Sequence, residues 1–506
     1  MLKELTLENF KAFKDKVKIP LAPITLIFGE NSSGKSSILQ SLGLLKQSCS
    51  QQYADTDLVF KPRDVTVDLG NYSETVFEHN SSLPINIGAT MSNKDQKYTL
   101  EFEFQKNHIN KQAKLNAVSI PLAGDNFVAR FELFKNIPNE LKNGLESIFI
   151  DFDEFGSKGL FKGMTITQSE LYWSKPYRMI QESVVKPEEA IASDNGEIML
   201  GFDNRLGQFV EEFAGSRIIV PMIPEEIRGG NFSIQDYIKW ISMCFTYSYV
   251  ESNGFLQFNQ SIGKLPVVST HDPVHIIRTG SWLLRKSLES LVSLGPIRKQ
   301  PQRWFELNDV QTNDVGYDGA YMPQLLLTSP LIKKEVNRWL DSLDMGYSLQ
   351  VEPLSSGLFE LKLFDTKNGN KIEIYLPNVG YGVSQVLPII TQSVASRESI
   401  IAIEQPEVHI HPKLQAELGN LFAESSRPPY NNQFIIETHS EHLILRLQRL
   451  VRNGILSPED LSVLYVQKSS VGEGSKVIHL QLDGEGDFID EWPGGFFPER
   501  LDELLR

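Results

Sequence analysis

An octapeptide near the start of the chain, Gly29-Glu30-Asn31-Ser32-Ser33-Gly34-Lys35-Ser36, matches GxxxxGK[ST] at every defined position and leaves few architectures open. It follows Ile24-Thr25-Leu26-Ile27-Phe28, a short apolar run bounded by Pro23 and Gly29. Such a run suits a central strand buried on both faces. A helix is predicted from Lys35, with Ile38, Leu39, Leu42 and Leu45 at helical spacing. Strand, glycine-rich loop and helix, in that order, make a phosphate-binding unit.

The loop's chemistry follows from its residue types. Glycines let the backbone fold into a nest whose N–H groups point at phosphate oxygens, and the helix start adds favourable dipole charge. Gly29, Asn31, Ser32, Ser33, Gly34, Lys35, Ser36 and Ser37 are therefore the expected ATP-binding set. Lys35 should bridge the β- and γ-phosphates, and the Ser36 hydroxyl should ligate Mg²⁺.

Two further apolar strands are predicted far downstream. Ser399-Ile400-Ile401-Ala402-Ile403 ends in Glu404, the form of a Walker B strand, and places a metal-holding acid opposite Ser36. Gln433-Phe434-Ile435-Ile436-Glu437-Thr438 runs directly into His439. Helices are expected after Gly382 and near Pro412, and further strands over 85–105, 348–376 and 461–466. Lys367-Asn368-Gly369-Asn370 reads as a hairpin turn, and 501–505 as an acidic helix. These elements give an α/β fold: a P-loop domain with a mainly parallel core sheet, an antiparallel β subdomain and a long α/β insertion. The expected organisation is 1–105 for the first part of the nucleotide-binding domain and 106–290 for an inserted interaction region. The second part follows over 291–440, and 441–506 forms a tail.

Composition closes off several classes. No run of about 18 apolar residues occurs, which argues against a membrane span, and the start lacks the apolar stretch of a secretion signal. Cys49 and Cys244 are the two cysteines, so no disulfide framework exists and a reducing cytoplasm is the expected location. A formal charge of −15 argues against a uniformly basic nucleic-acid-coating protein while leaving room for a local basic groove.

The continuation Glu404-Gln405-Pro406-Glu407-Val408-His409-Ile410-His411-Pro412, with the loop above, resembles the ABC/SMC-like ATPases of the OLD and RecF kind. That resemblance implies Mg-ATP binding, a Walker B acid at Glu404 and a switch histidine at His439. In that family the second acid polarises the attacking water. Gln405 stands there in this chain, and loss of a general base costs about 10²–10⁴ in rate. Slow hydrolysis and a long-lived ATP state follow, with Glu407 as an alternative base and glutamine-assisted hydrolysis as another route. Asn378 to Gln385 resembles the family's signature helix loosely, with Gly380 where a serine is usual. Gly380, Gly382, Ser384 and Gln385 are thus expected to act in trans on a second subunit's nucleotide, in an ATP-sandwiched homodimer or higher assembly. Phe10 and Phe13 fall in the family's opening strand pair and are read as core. The Q-loop glutamine has no assigned position, Gln40 and Gln47 being unsuitable. Arg298 and Arg303, in a Gly-Pro-x-Arg context, either touch phosphate or pair with acids. A zinc site among His409, His411, His439 and His442 is the weaker reading.

The residues after His439 are too few for the TOPRIM nuclease domain of OLD proteins. The tail Asp490-Glu491-Trp492-Pro493-Gly494-Gly495-Phe496-Phe497 looks like that of a bacterial branch suspected of phage defence beside a separate effector. Three functions are expected in that order: an ATP-gated switch licensing a partner such as a nuclease in antiviral defence, a RecF-like ATPase clamping DNA, and a scaffold that binds ATP without turnover.

Overall fold

A computed structural model describes residues 1–49, 58–61, 67–93, 96–106, 113–122, 127–133, 171–173, 191–192, 198–199, 273–307, 313–355, 357–367, 372–470 and 472–493. The expected turn residues 368–370, the tail from Gly494 and the helix over 501–505 lie outside the described residues, as does most of 106–290. The chain forms two compact units. One comprises Met1–Gln47, Phe60–Asn80 and Lys286–Arg506, the other Ser48–Val59 and Ser81–Arg285. The longer segment of the second unit begins at Ser81.

In chain order the strands are β1 (Leu2–Glu8), β2 (Val17–Pro20), β3 (Ile24–Gly29), β4 (Ile85–Asn93), β5 (Gln96–Lys106), β6 (Ala113–Leu122), β7 (Phe127–Leu133), β8 (Leu171–Trp173), β9 (Ile191–Ala192) and β10 (Ile198–Met199). They continue as β11 (Val292–Leu294), β12 (Trp304–Glu306), β13 (Tyr347–Ser355), β14 (Leu358–Asp365), β15 (Glu373–Tyr375), β16 (Ile400–Glu404), β17 (Gln433–Glu437), β18 (Leu461–Gln467) and β19 (Lys476–Leu480). The helices are α1 (Lys35–Ser48), α2 (Tyr72–Thr75), α3 (Pro273–Glu289), α4 (Met322–Thr328), α5 (Pro330–Ser342), α6 (Tyr381–Ala395), α7 (Pro412–Ser425) and α8 (Glu441–Arg452).

The first unit is built on the sheet β11-β16-β17-β3-β18-β19. Every neighbouring pair is parallel except β18 with β19. All six residues of β3 and all five of β17 are buried, as their apolar runs require of strands covered on both faces. Phe422 of α7 and Phe434 of β17 meet at 4.8 Å between ring centres, fixing that helix to the sheet. Ser440 caps α8 by accepting the Leu443 N–H, and His411 caps α7 by accepting the Lys413 N–H, with Pro412 at the first helical position. Gln433 accepts the N–H of Leu2 and donates to the carbonyls of Leu2 and Ala22, tying the start of β17 to the first strand. A smaller antiparallel sheet, β12-β14-β13 with β15 on β14, supplies the expected β subdomain.

The second unit contains the antiparallel meander β4 to β8. In β5, Tyr98, Leu100, Phe102 and Phe104 are buried and the residues between them are less so, matching the alternation in sequence.

The first 30 residues hold three strands, the four-residue β2 pairing back on β1. One detail departs from expectation. Helix α6 starts at Tyr381, with Gly380 as its cap, so Gly382 lies inside the first turn. Its role there is steric: a Cβ on Gly382 would stand 3.1 Å from the His409 carbonyl oxygen.

Candidate functional site

The phosphate loop joins β3 to α1 and is shaped by close backbone approach on both sides. Gly29 has φ 143°, and a Cβ there would lie 2.3 Å from the carbonyl oxygen of Val466 on β18. Gly34 has φ 105°, and its Cβ would lie 2.6 Å from that of Ala12. No other residue type fits either position. Ser32 also takes a left-handed conformation, at φ 61°. Lys35 is 4% exposed, and its ammonium donates to the carbonyls of Gly29 at 3.1 Å and Glu30 at 2.7 Å. An ammonium has three donors, so this leaves one for a phosphate oxygen. Burial pushes the Lys35 pKa down while Glu437, Glu30 and Glu407 push it up.

The opposite wall is the C-terminal edge of β17 and β16. Their register aligns Glu437 with Glu404, and Glu437 with Ile27 of β3. The strand order places β17 between β3 and β16. Glu437 takes the hydrogen bond of the Ser36 hydroxyl. Glu404 accepts the Tyr317 hydroxyl at 2.9 Å. Burial raises the carboxyl pKa of Glu404, Glu407 and Glu437 alike, and Glu437 adds to the rise at the other two.

Arg298 closes the row. It is 3% exposed, donates to the Glu404 carbonyl at 3.4 Å, and leaves its Nε and one terminal nitrogen without a partner. Burial brings its pKa to about 10 against the pull of Glu404, Glu407 and Tyr317. Arg298 stands within electrostatic reach of Glu404 and Glu407, while its one side-chain hydrogen bond goes to a backbone carbonyl. Its loop is tied to Tyr317 and Asp318 by the N–H groups of Gly295 and Lys299, each at 2.8 Å.

Beyond Glu404 the backbone turns sharply. Gln405 has φ 45°, and its N–H donates to the Glu437 carbonyl at 2.8 Å. Glu407 accepts the Thr438 hydroxyl and the His439 N–H, both at 2.7 Å. With both oxygens engaged, it holds the switch loop in place. His439 sits at the end of β17, where burial first and Lys35 second lower its pKa, keeping the imidazole neutral. His409 stacks edge-on against Tyr381 at 5.0 Å. With His411 spent on its cap, the histidines of this stretch are structural.

Other expected residues fall as follows. Ser33 is buried with no partner for its hydroxyl, and Ser37 is buried on α1. Asn31 is exposed on the loop. Gly380 is exposed with nothing within 4 Å of a Cβ built on it. Ser384 donates to the Tyr381 carbonyl at 2.7 Å, and Gln385 is buried with its amide nitrogen unpartnered. Phe10 and Phe13 are fully buried, as read. Gln40 accepts from Lys11, and Gln47 donates to Val67. Sequence reasoning missed Glu437 and Tyr317. Glu437 carried a visible signal, a carboxylate closing an apolar strand as Glu404 does, whereas nothing in the sequence around Tyr317 marked it.

A divalent cation is the cofactor such a loop implies, and the residues present fit one. Ser36, Glu404 and Glu437 offer hard oxygen donors, and Oε2 of Glu437 is buried without a hydrogen-bond partner. A cation would relieve three acids held above their usual range.

Comparison with known proteins gives the same reading. Residues 1–178 match a family model described as AAA ATPase domain. Residues 267–446 match an AAA domain model whose description also names the AbiEii toxin and a type IV TA system. A DNA replication and repair protein RecF from a Cyanothece species is 25% identical over 155 residues, 30% of this chain and 38% of that protein. The chain thus matches well under two thirds of that relative's length. Among solved structures, the SMC head domain from Thermotoga maritima has a TM-score of 0.36 at 11% identity, covering 95% of this chain and 99% of the other. A Pyrococcus furiosus Smc head domain, with an extended coiled coil and bound to the C-terminal domain of ScpA, has a TM-score of 0.39 at 12% identity, covering 100% and 99%. The phosphate loop and the mainly parallel core sheet make the described core a P-loop α/β domain, similar to AAA ATPase domains over residues 1–178 and 267–446. No helix among the described residues is long and apolar enough to cross a membrane.

Proposed function

We propose that this chain binds Mg-ATP at the phosphate loop, hydrolyses it slowly, and uses the long-lived ATP state as a switch on a separate effector, such as a nuclease, in bacterial antiphage defence. One observation carries the nucleotide reading. Lys35, Ser36, Glu437, Glu404 and His439 gather at the C-terminal edge of three neighbouring parallel strands. That edge is where open α/β sheets bind ligands.

In this reading the loop N–H groups and Lys35 cradle the β- and γ-phosphates. Ser36 and Glu404 would hold Mg²⁺, which neutralises phosphate charge when bound. Neutral His439 hydrogen-bonds the terminal phosphate from the strand end. Gln405 orients the attacking water but takes no proton, which keeps turnover slow. Glu407 holds Thr438 and His439 in position. The exposed start of α6, at Gly380, offers backbone N–H groups to the nucleotide of a second copy, closing an ATP-sandwiched homodimer. In one matched model the description names a TA system, which is in keeping with a partner effector.

Measuring bound nucleotide and ATP turnover on wild type and Lys35→Ala tests the reading. Absence of ATP binding by the wild type would sink it. A second reading, DNA clamping of the RecF kind, is favoured by the RecF match. It requires DNA binding that weakens steeply with salt, through a local basic patch on a chain of formal charge −15. A scaffold without turnover is the outcome if ATP binds and is never cleaved.

A further inference from the structure

Glu437 is one of the site's oxygen donors, and the chemistry described so far gives it no task of its own. Its side chain takes the hydrogen bond of Ser36, the loop hydroxyl poised for metal. The residue is 5% exposed, and its second oxygen, Oε2, is buried with no partner. A buried carboxylate oxygen without a donor is costly to keep, and such atoms in folded proteins mark a function or an absent ion. Glu437 also stands in register with Glu404 on the next strand, and adjacent strands run about 4.8 Å apart. Gln405, where the resemblance expects a second acid, supplies no charge.

We propose that Glu437 is the second acid of the divalent-cation site, so that this chain divides its acidic pair between two neighbouring strands, Glu404 on β16 and Glu437 on β17. Glu437 then has two tasks. One oxygen orients Ser36, and Oε2 faces the ion or its water. Partners that orient a metal ligand matter to affinity nearly as much as the ligands themselves. The plainer role for Glu437 is counter-charge to Lys35, whose charge it also supports. The two roles differ in what metal does. A counter-ion to lysine affects nucleotide binding with or without metal, whereas a metal-site acid affects the part that metal adds.

The proposal rests on the nucleotide reading of the loop, and the experiment separates the two. The probes are a fluorescent ATP analogue, titrated with Mg²⁺ and with EDTA, and Mn²⁺ alone, followed by electron paramagnetic resonance with and without ADP. The proteins are full-length wild type, Glu437→Gln and Glu437→Asp, with circular dichroism confirming the fold of each. Glutamine keeps size and can still accept from Ser36, and aspartate keeps charge but shortens the reach.

The expected result is that wild type gains at least about tenfold in nucleotide affinity from Mg²⁺, and that Glu437→Gln loses most of that gain while its affinity in EDTA is unchanged or higher. Mn²⁺ binding should weaken by about 10–100-fold in Glu437→Gln, with Glu437→Asp between the two. If Glu437→Gln keeps the wild-type metal gain and Mn²⁺ affinity, Glu437 is only the lysine's counter-ion and the proposal is overturned. A wild type that binds no nucleotide overturns the loop reading instead, and Mn²⁺ binding without ADP still decides for or against Glu437.

Discussion

Glu407 accepts the backbone N–H of His439 through Oε1 and the hydroxyl of Thr438 through Oε2, each at 2.7 Å. The loop that follows β16 thereby grips the loop that carries His439. Glu407→Ala should leave two groups of the switch loop unpaired and lower turnover about 10–100-fold, with ATP affinity nearly unchanged. Steady-state turnover and fluorescent-nucleotide titration on one preparation measure both. An equal fall in affinity and turnover would assign Glu407 to binding.

Lys35 donates to the loop carbonyls of Gly29 and Glu30, and in the proposed reading its third donor meets a phosphate oxygen. Lys35→Ala removes a charge-assisted contact worth about 1.5–3 kcal/mol. Nucleotide affinity should therefore drop by about 10–100-fold, read by equilibrium titration.

Gln405 tests whether this enzyme is slow by construction. Gln405→Glu restores a proton acceptor and should raise the single-turnover rate by at least about tenfold, a fraction of what a general base supplies. If wild type is already fast and Gln405→Glu changes nothing, another group orients or deprotonates the water.

Arg298 lies deep behind two acids. Arg298→Met removes the guanidinium and strands Glu404 and Glu407 beside each other without a buried cation. Leaving buried acids without their nearest counter-charge costs up to about 3–5 kcal/mol, measurable as a lower urea midpoint at neutral pH.

Glu437 carries a pH signature. Burial holds its folded-state pKa above the usual carboxylate value. A raised folded pKa gives stability that is present below the unfolded value, about 4.3, and is lost as pH rises through the folded one. Glu437→Gln removes that loss. In the absence of metal the variant should melt above wild type at pH 8, and the difference should shrink as pH falls towards 5.

The sheet was legible where residues faced a single demand. Ile24–Phe28, Ile400–Ile403 and Phe434–Ile436 are apolar because both faces of those strands are covered, and each appeared as an uninterrupted run. Gly29 and Gly34 were legible because only glycine tolerates their backbone angles and close neighbours. Tyr317 and Arg298 were not. Their meaning comes from a loop folded against the end of β16, a contact between residues about ninety to a hundred positions apart with no periodicity to announce it. The nearness of Glu437 to Ser36 was hidden for a related reason. Strand order is a property of the folded sheet, and only that order reveals that β17 intervenes between β3 and β16.

Strand β3 lies between β17 and β18, so the phosphate loop is flanked by strands made about four hundred residues after it. Val466 closes over Gly29 from a position more than four hundred residues later in the chain. At ribosomal speeds of about 5–20 residues per second, the phosphate loop waits roughly 20–80 s for the walls of its own site. Until Val466 has been made, the phosphate loop lacks the backbone that closes over Gly29.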